Sequence, residues 1–257
     1  MNDNNEYKYL QANVLDLAEN RTQNNCVQVS RFMSEAELFA AETVLKQQKQ
    51  QYFTYGGYDK AERKCIVFLP DYLNKDDIQN EAELFGISFL KIVLSDYDRQ
   101  ADLCHRDYMG AILGCGVKRD AVGDIIVFEG YAEAVLLNTI MAFVSENLTS
   151  VGKYKVKCMP ADYIEYKEPE YKELFTTVAS MRADAVAAAA FGISRSSAEN
   201  EIIGKNVFIN GRECSGRDSE IHEGDKISIR GKGKILVSSI KGESKKGRIR
   251  LIIKKYF

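Results

Sequence analysis

Arg182, Ser194, Arg195, Ser196 and Lys205 fall inside one short stretch, SMRADAVAAAAFGISRSSAENEIIGKNVFING, which runs from Ser180 to Gly211. Positive side chains and small hydroxyls at helix starts suit phosphate oxygens. Each donates to an anion, and the unpaired amides of a helix's first turn add to the same field. Arg212 follows at the end of the stretch, and Arg230, Lys232 and Lys234 surround Gly231 and Gly233, where bare backbone lets a sugar-phosphate strand come close. Lys245, Lys246, Arg248 and Arg250 form a second basic strip. The chemistry expected of this set is the binding of a polyanion.

Two short helices and a hairpin must position these groups. Ser180 is expected to cap the first helix, whose alanine run has high helix propensity and admits close backbone approach, and Gly192 is expected to end it. Ser194 caps a second helix in which Ala198, Ile202 and Ile203 are read as the buried stripe, with Gly204 as the left-handed stop. Val207 and Ile209 alternate into Asn210-Gly211, a strong hairpin signal. The run SRSSAENEIIGKNVFING resembles the S4 RNA-binding domain, and the likeness extends from Met181 to about Lys234.

Charge divides along the chain in the same sense. Residues 180–257 hold 16 Lys and Arg against 9 Asp and Glu, whereas residues 1–179 hold 19 against 28, so a basic end is joined to an acidic body. That polarity fits a protein that meets nucleic acid at one end. The six cysteines, at 26, 65, 104, 115, 158 and 214, make no C-x-x-C pair, so reduced thiols are expected, with no metal and no cofactor. No apolar run approaches a membrane span and the N-terminus is too polar for a signal peptide, which gives a cytoplasmic expectation and excludes membrane partners.

The fold class expected is α+β. Residues 1–80 read as a mixed helical and strand region, in which Ser34 and Glu37 form a capping box and Gly56-Gly57 a turn packed with tyrosines. Residues 81–165 run strand, helix, strand, strand, helix, strand, the split-βαβ order of ferredoxin-like and RRM-like domains. A connector, 166–179, leads to the S4-like domain, 180–257. In the middle domain Arg106, Lys118 and Arg119 are secondary candidates for RNA contact; for Lys118 and Arg119, charges that complement a helix C-terminus are an equal reading. His105-Arg106-Asp107 lacks the rest of a kinase signature, and Gly114-x-Gly116 lacks the context of a dinucleotide site.

Taken together and in this order, GGYDKAERK, HRDYMGAILGCGVKRDAVGDI and SRSSAENEIIGKNVFING resemble the YlmH family of bacterial proteins over nearly the whole chain. The resemblance implies an RRM-like middle domain, a C-terminal S4 domain of αL type, and association with structured RNA, rRNA or tRNA, on the large ribosomal subunit during quality control of stalled nascent chains. It implies no DNA partner. No catalytic residues are expected. The competing reading is an RNA-modifying enzyme, pseudouridine-synthase-like, with the S4 domain delivering substrate; the arginine-leucine-aspartate stretch of such enzymes is not found.

Overall fold

The computed structural model describes residues 3–73, 82–95, 102–166, 168, 170–244 and 247–256. The architecture is α+β, in two compact units, Met1–Lys167 and Glu168–Phe257.

In the first unit α1 (Asp3–Asn24) and α2 (Glu35–Gln47) pack on a small antiparallel sheet of β1 (Gln28–Val29), β2 (Phe53–Tyr55) and β3 (Cys65–Phe68), in the order β1-β3-β2. Leu10, Val14 and Ala18 recur every four residues along α1, so they form one stripe, and all three are buried against Ala41, Leu45, Ile66 and Phe68. At α2 the Ser34 hydroxyl accepts from the Glu37 amide while Glu37 Oε2 accepts from the Ser34 amide at 2.8 Å. The Glu37 carboxyl sits below its ordinary range: burial pushes it up, but the bonds from Ser34 and Arg31 outweigh that. Ser34→Ala should therefore lower stability by about 1 kcal/mol, read as a shift in urea midpoint with an unchanged slope.

The same unit continues through β4 (Ile87–Leu94), α3 (His105–Gly114), β5 (Val122–Phe128), β6 (Tyr131–Leu137), α4 (Asn138–Asn147), β7 (Ser150–Val151) and β8 (Tyr154–Ala161). The sheet order is β5-β6-β4-β8-β7 with every pair antiparallel, the arrangement that a split βαβ requires. Period-two alternation sends Leu90, Ile92, Ala132 and Ala134 toward Tyr108, Met109 and Ile112 of α3 and Val144 of α4. The opposite parity, Ile87, Phe89 and Val135, meets Phe32, Cys65 and Ile164. Part of the face that RNA-recognition modules leave open is thus covered here by the N-terminal segment. Gly57, at φ +92°, lies so close that a Cβ would meet Phe89 at 2.8 Å, so Gly56-Gly57 is a tight packed turn.

The second unit consists of β9 (Tyr171–Val178), α5 (Ala183–Phe191), α6 (Arg195–Ile203), β10 (Val207–Ile209), β11 (Arg212–Glu213), β12 (Lys226–Ile229), β13 (Gly233–Glu243) and β14 (Ile249–Tyr256). Its sheet order is β11-β10-β12-β13-β14-β9. Residues 171–178, expected within a connector, instead pair with all eight residues of β14 as the edge strand. Their alternation is faint in sequence because the inward positions, half-buried Leu174 and Thr176 and buried Val178, include a threonine.

Local expectations at the helical corner hold except at three points. Gly192 ends α5 at φ 68°, Ser194 caps α6, and Asn210 and Gly211 both carry the positive φ of a type I′ turn. Ile203, however, is 72% exposed rather than buried. A nine-residue helix against one sheet needs a narrow stripe, which Ala198 and Ile202 fill. The left-handed residue after α6 is Lys205, at φ 59°, while Gly204 stays near φ −72°. Ser180 does not cap α5; the capping position is Arg182, and the first helical amides bond to carbonyls of residues 217 and 219.

Candidate nucleic-acid interface

The α5–α6 corner is organised on a buried carboxylate. Asp184, with its side chain 5% exposed, accepts from Arg182 Nε at 3.2 Å and Arg182 Nη2 at 3.3 Å through its two oxygens, and from Arg195 Nη2 at 2.6 Å. Its Oδ1 also takes the Ala185 amide at 2.8 Å. Burial pushes the Asp184 carboxyl up, but the hydrogen bonds and charges of Arg182 and Arg195 together hold it below the ordinary carboxylate range. Arg182, which also pairs with Asp218, and Arg195 are thereby fixed side by side, next to Ser194 and Ser196, whose hydroxyls are 3.0 Å apart.

The surrounding cations are paired as well. Lys205 meets Glu213 at 3.1 Å, Lys232 meets Glu201 at 3.6 Å, and Arg217 meets Glu199 at 2.6 Å. Exposed pairs of this kind contribute at most about 1 kcal/mol and are screened by salt, so a phosphate can displace or share them. Arg195 and Lys205 remain 56% and 68% exposed at the side chain, and a guanidinium has five N–H donors, enough to serve a carboxylate and a phosphate together. The corner is therefore a lattice of positioned cations rather than a bare positive surface.

Backbone amides contribute less than the sequence suggests. At α5 the Ala183 amide bonds to Ser219 O at 2.8 Å and the Asp184 amide to Arg217 O, so this helix start is already occupied. At α6 the Ser197 amide is taken by Ser194 Oγ at 3.0 Å.

The remaining residues divide between places. Arg230, Lys232 and Lys234 flank the β12–β13 turn, with Gly231 and Gly233 both at positive φ and nothing within 4 Å of a Cβ built at Gly231. Lys232, through Glu201, brings that turn to α6, and Arg230 lies over the Phe208 ring at 4.9 Å. Arg212 is exposed on β11. Arg248 instead binds Thr177 Oγ1 and O at 3.0 and 2.7 Å, tying β14 to β9, and Lys245 and Lys246 lie outside the described residues. In the first unit Arg106 and Lys118 are exposed. Arg119 points at the carbonyls of Val122 and Gly123, and burial, with Arg63 nearby, lowers its pKa to about 10. Its guanidinium holds a bend in the chain.

Asp184 is the functional residue that sequence reading missed. An acid in the first turn of a helix passes for a dipole complement, and its second arginine lies eleven positions away across a helix corner.

Comparison with known proteins gives the family. Residues 80–165 match a family model described as "Putative RNA-binding domain in YlmH". The "Ribosome-associated protein quality control protein P2" of Bacillus subtilis (strain 168) is 30% identical over 198 residues, 76% of this chain and 74% of its own. A solved structure, "Cell division protein ylmH from Streptococcus pneumoniae", covers 61% of this chain and 91% of its own at 18% identity and a TM-score of 0.49. With 30% identity to the Bacillus subtilis protein over 76% of this chain and 74% of that one, and the matched middle domain, the chain belongs to the YlmH family.

Proposed function

We propose that this protein binds structured RNA, rRNA or tRNA, without catalysing a reaction, and acts with the large ribosomal subunit in quality control of stalled nascent chains. The observation that carries the reading is the Asp184-anchored pair Arg182 and Arg195 beside two serine hydroxyls. Folded RNA presents phosphates at fixed spacing and closes its major groove to side chains, so rigidly held cations recognise it by outline. In this reading residues 81–165 form the RRM-like domain, residues 180–257 together with β9 form the S4-like RNA grip, and the N-terminal region braces the middle sheet. Family membership and the ribosomal quality-control role named for the Bacillus subtilis relative support it.

Three of the six thiols are not activated as nucleophiles. Burial pushes Cys65, Cys115 and Cys158 up, Cys158 to about 11, which is opposite to the shift a nucleophile needs. No helix among the described residues is long and apolar enough to cross a membrane.

Salt titration tests the reading. If Arg182, Arg195, Lys205 and Lys232 each neutralise a phosphate, the logarithm of affinity for a folded rRNA fragment falls against the logarithm of salt with a slope of about −3 to −4. A flat response would overturn phosphate recognition. Nucleoside analysis of the RNA after incubation should show no modified base, and turnover of one would favour the enzyme reading instead.

A further inference from the structure

The sheet of the C-terminal unit has two faces, and the helices cover one. Register places Val207, Ile227, Ile235, Val237, Leu251 and Ile253 together on the face packed by α5 and α6. The other face is built from the alternate residues. Phe208 lies opposite Ser228, Lys226 opposite Leu236, Lys254 opposite Leu236 and Glu173, Ile252 opposite Phe175, and Tyr256 opposite Tyr171. Phe175 is 75% exposed, and Tyr171 is exposed four residues earlier on the same strand, with Glu173 between them.

The charges on this face differ in kind from those of the helical corner. Lys226, Arg230, Lys234, Arg250 and Lys254 share it with two carboxylates, Glu173 and Glu213, and Glu213 is already held by Lys205. Arg230 and Lys254 rest on aromatic rings, the latter 4.2 Å above Tyr171, and Arg250 donates to the Glu243 carbonyl. Rings and cations are interleaved on a face whose residues are exposed or half-exposed. An apolar protein surface would match the rings but would have to strip water from five cations; an acidic peptide would match the cations but leave the rings bare. An unpaired nucleotide chain satisfies both, since every base offers a π face and every linkage a negative charge.

We propose that this open sheet face is a second RNA surface that takes a single-stranded segment, its bases stacking on Phe175 and Tyr171 and its phosphates running along Lys254, Lys226 and Lys234. It goes beyond the corner reading, since it uses a different face and unpaired rather than folded RNA.

The test uses the full chain and two probes, a labelled oligouridine of about 12 nucleotides and a fully paired RNA hairpin. Phe175→Ala should weaken oligouridine binding about tenfold, the scale of one lost base–aromatic stack, and Phe175→Tyr should retain it. Hairpin binding should stay unchanged in Phe175→Ala and fall in Lys205→Ala, which breaks only an exposed pair, so the corner reading is judged on the hairpin and this one on the oligouridine. Because Phe175 projects into solvent, both variants should melt as the parent does. Equal oligouridine binding by parent and Phe175→Ala would overturn the proposal. A photocrosslinker at position 175 that captures only protein from a lysate would also overturn it.

Discussion

Replacing Asp124 with alanine should lower the stability of the N-terminal unit by about 3 kcal/mol and its melting temperature by roughly 10 °C. Asp124 stands on β5, yet its partners lie some sixty positions earlier: Oδ2 accepts from the Tyr58 hydroxyl at 2.8 Å and the Glu62 amide at 2.7 Å, and Oδ1 from the Arg63 amide at 3.1 Å. Hydrogen bonds to a carboxylate contribute about 1.5 to 3 kcal/mol each, and three that share one acceptor do not add in full. Burial, and then the Asp124 charge, raise the Tyr58 hydroxyl's pKa, so its proton stays in place to donate. Without the carboxylate, the turn at Gly56 and Gly57 loses its clamp to the sheet and two backbone amides lose their acceptor. Calorimetry gives the global effect, and hydrogen exchange at Glu62 and Arg63 localises it. Asp124→Asn keeps one acceptor oxygen and should lose about half as much. Unchanged protection of those amides in Asp124→Ala would refute the clamp.

That clamp also marks where sequence reading stops. Most caps and turns were legible because their partners are local: Ser34 reaches Glu37 three residues on, Gly192 needs no partner, and Asn210-Gly211 sets its own backbone angles, whereas the start of α5, bonded to residues 217 and 219, was misplaced at Ser180, and the left-handed stop of α6 fell one residue late. The strand and helix order of the middle domain was legible for the same reason, since each element carries its own period. Pairings across long separations were not. The strand β9 is recognisable only beside β14, more than seventy residues later. The Phe32 and Cys65 cover on the middle sheet joins segments whose sequences say nothing of each other. At the corner, residue types and approximate places were readable, but not that carboxylates balance them. Counting charge over residues 180–257 gives a net excess; it does not reveal that Asp184, Glu201 and Glu213 sit against Arg195, Lys232 and Lys205.

This pairing sets up a second expected result. Asp184→Ala should weaken retention of folded RNA about thirtyfold, although it makes the chain's formal charge less negative, from −2 to −1. If net charge alone governed binding, removing an acid would strengthen it. Here the acid is buried and its work is geometric, since it holds Arg195 and shares Arg182 with Asp218, and an Arg195 freed of it must lose rotamer entropy when it meets phosphate. Losing the fixed Arg195 contact should also flatten the salt slope by about 0.9. Arg195→Ala is a less clean probe, because it strips a partner from a buried carboxylate and so lowers stability as well as binding. The pH dependence has a definite sign. The folded pKa of Asp184 is depressed, so its hold on both arginines is complete above the ordinary carboxylate pKa of about 4 and fades only as pH falls through the lower folded value. Parent retention attributable to this pair should therefore be level from neutral pH to about pH 5. Tighter RNA retention in Asp184→Ala than in the parent would show that bulk charge, not the orientation of Arg182 and Arg195, governs the corner.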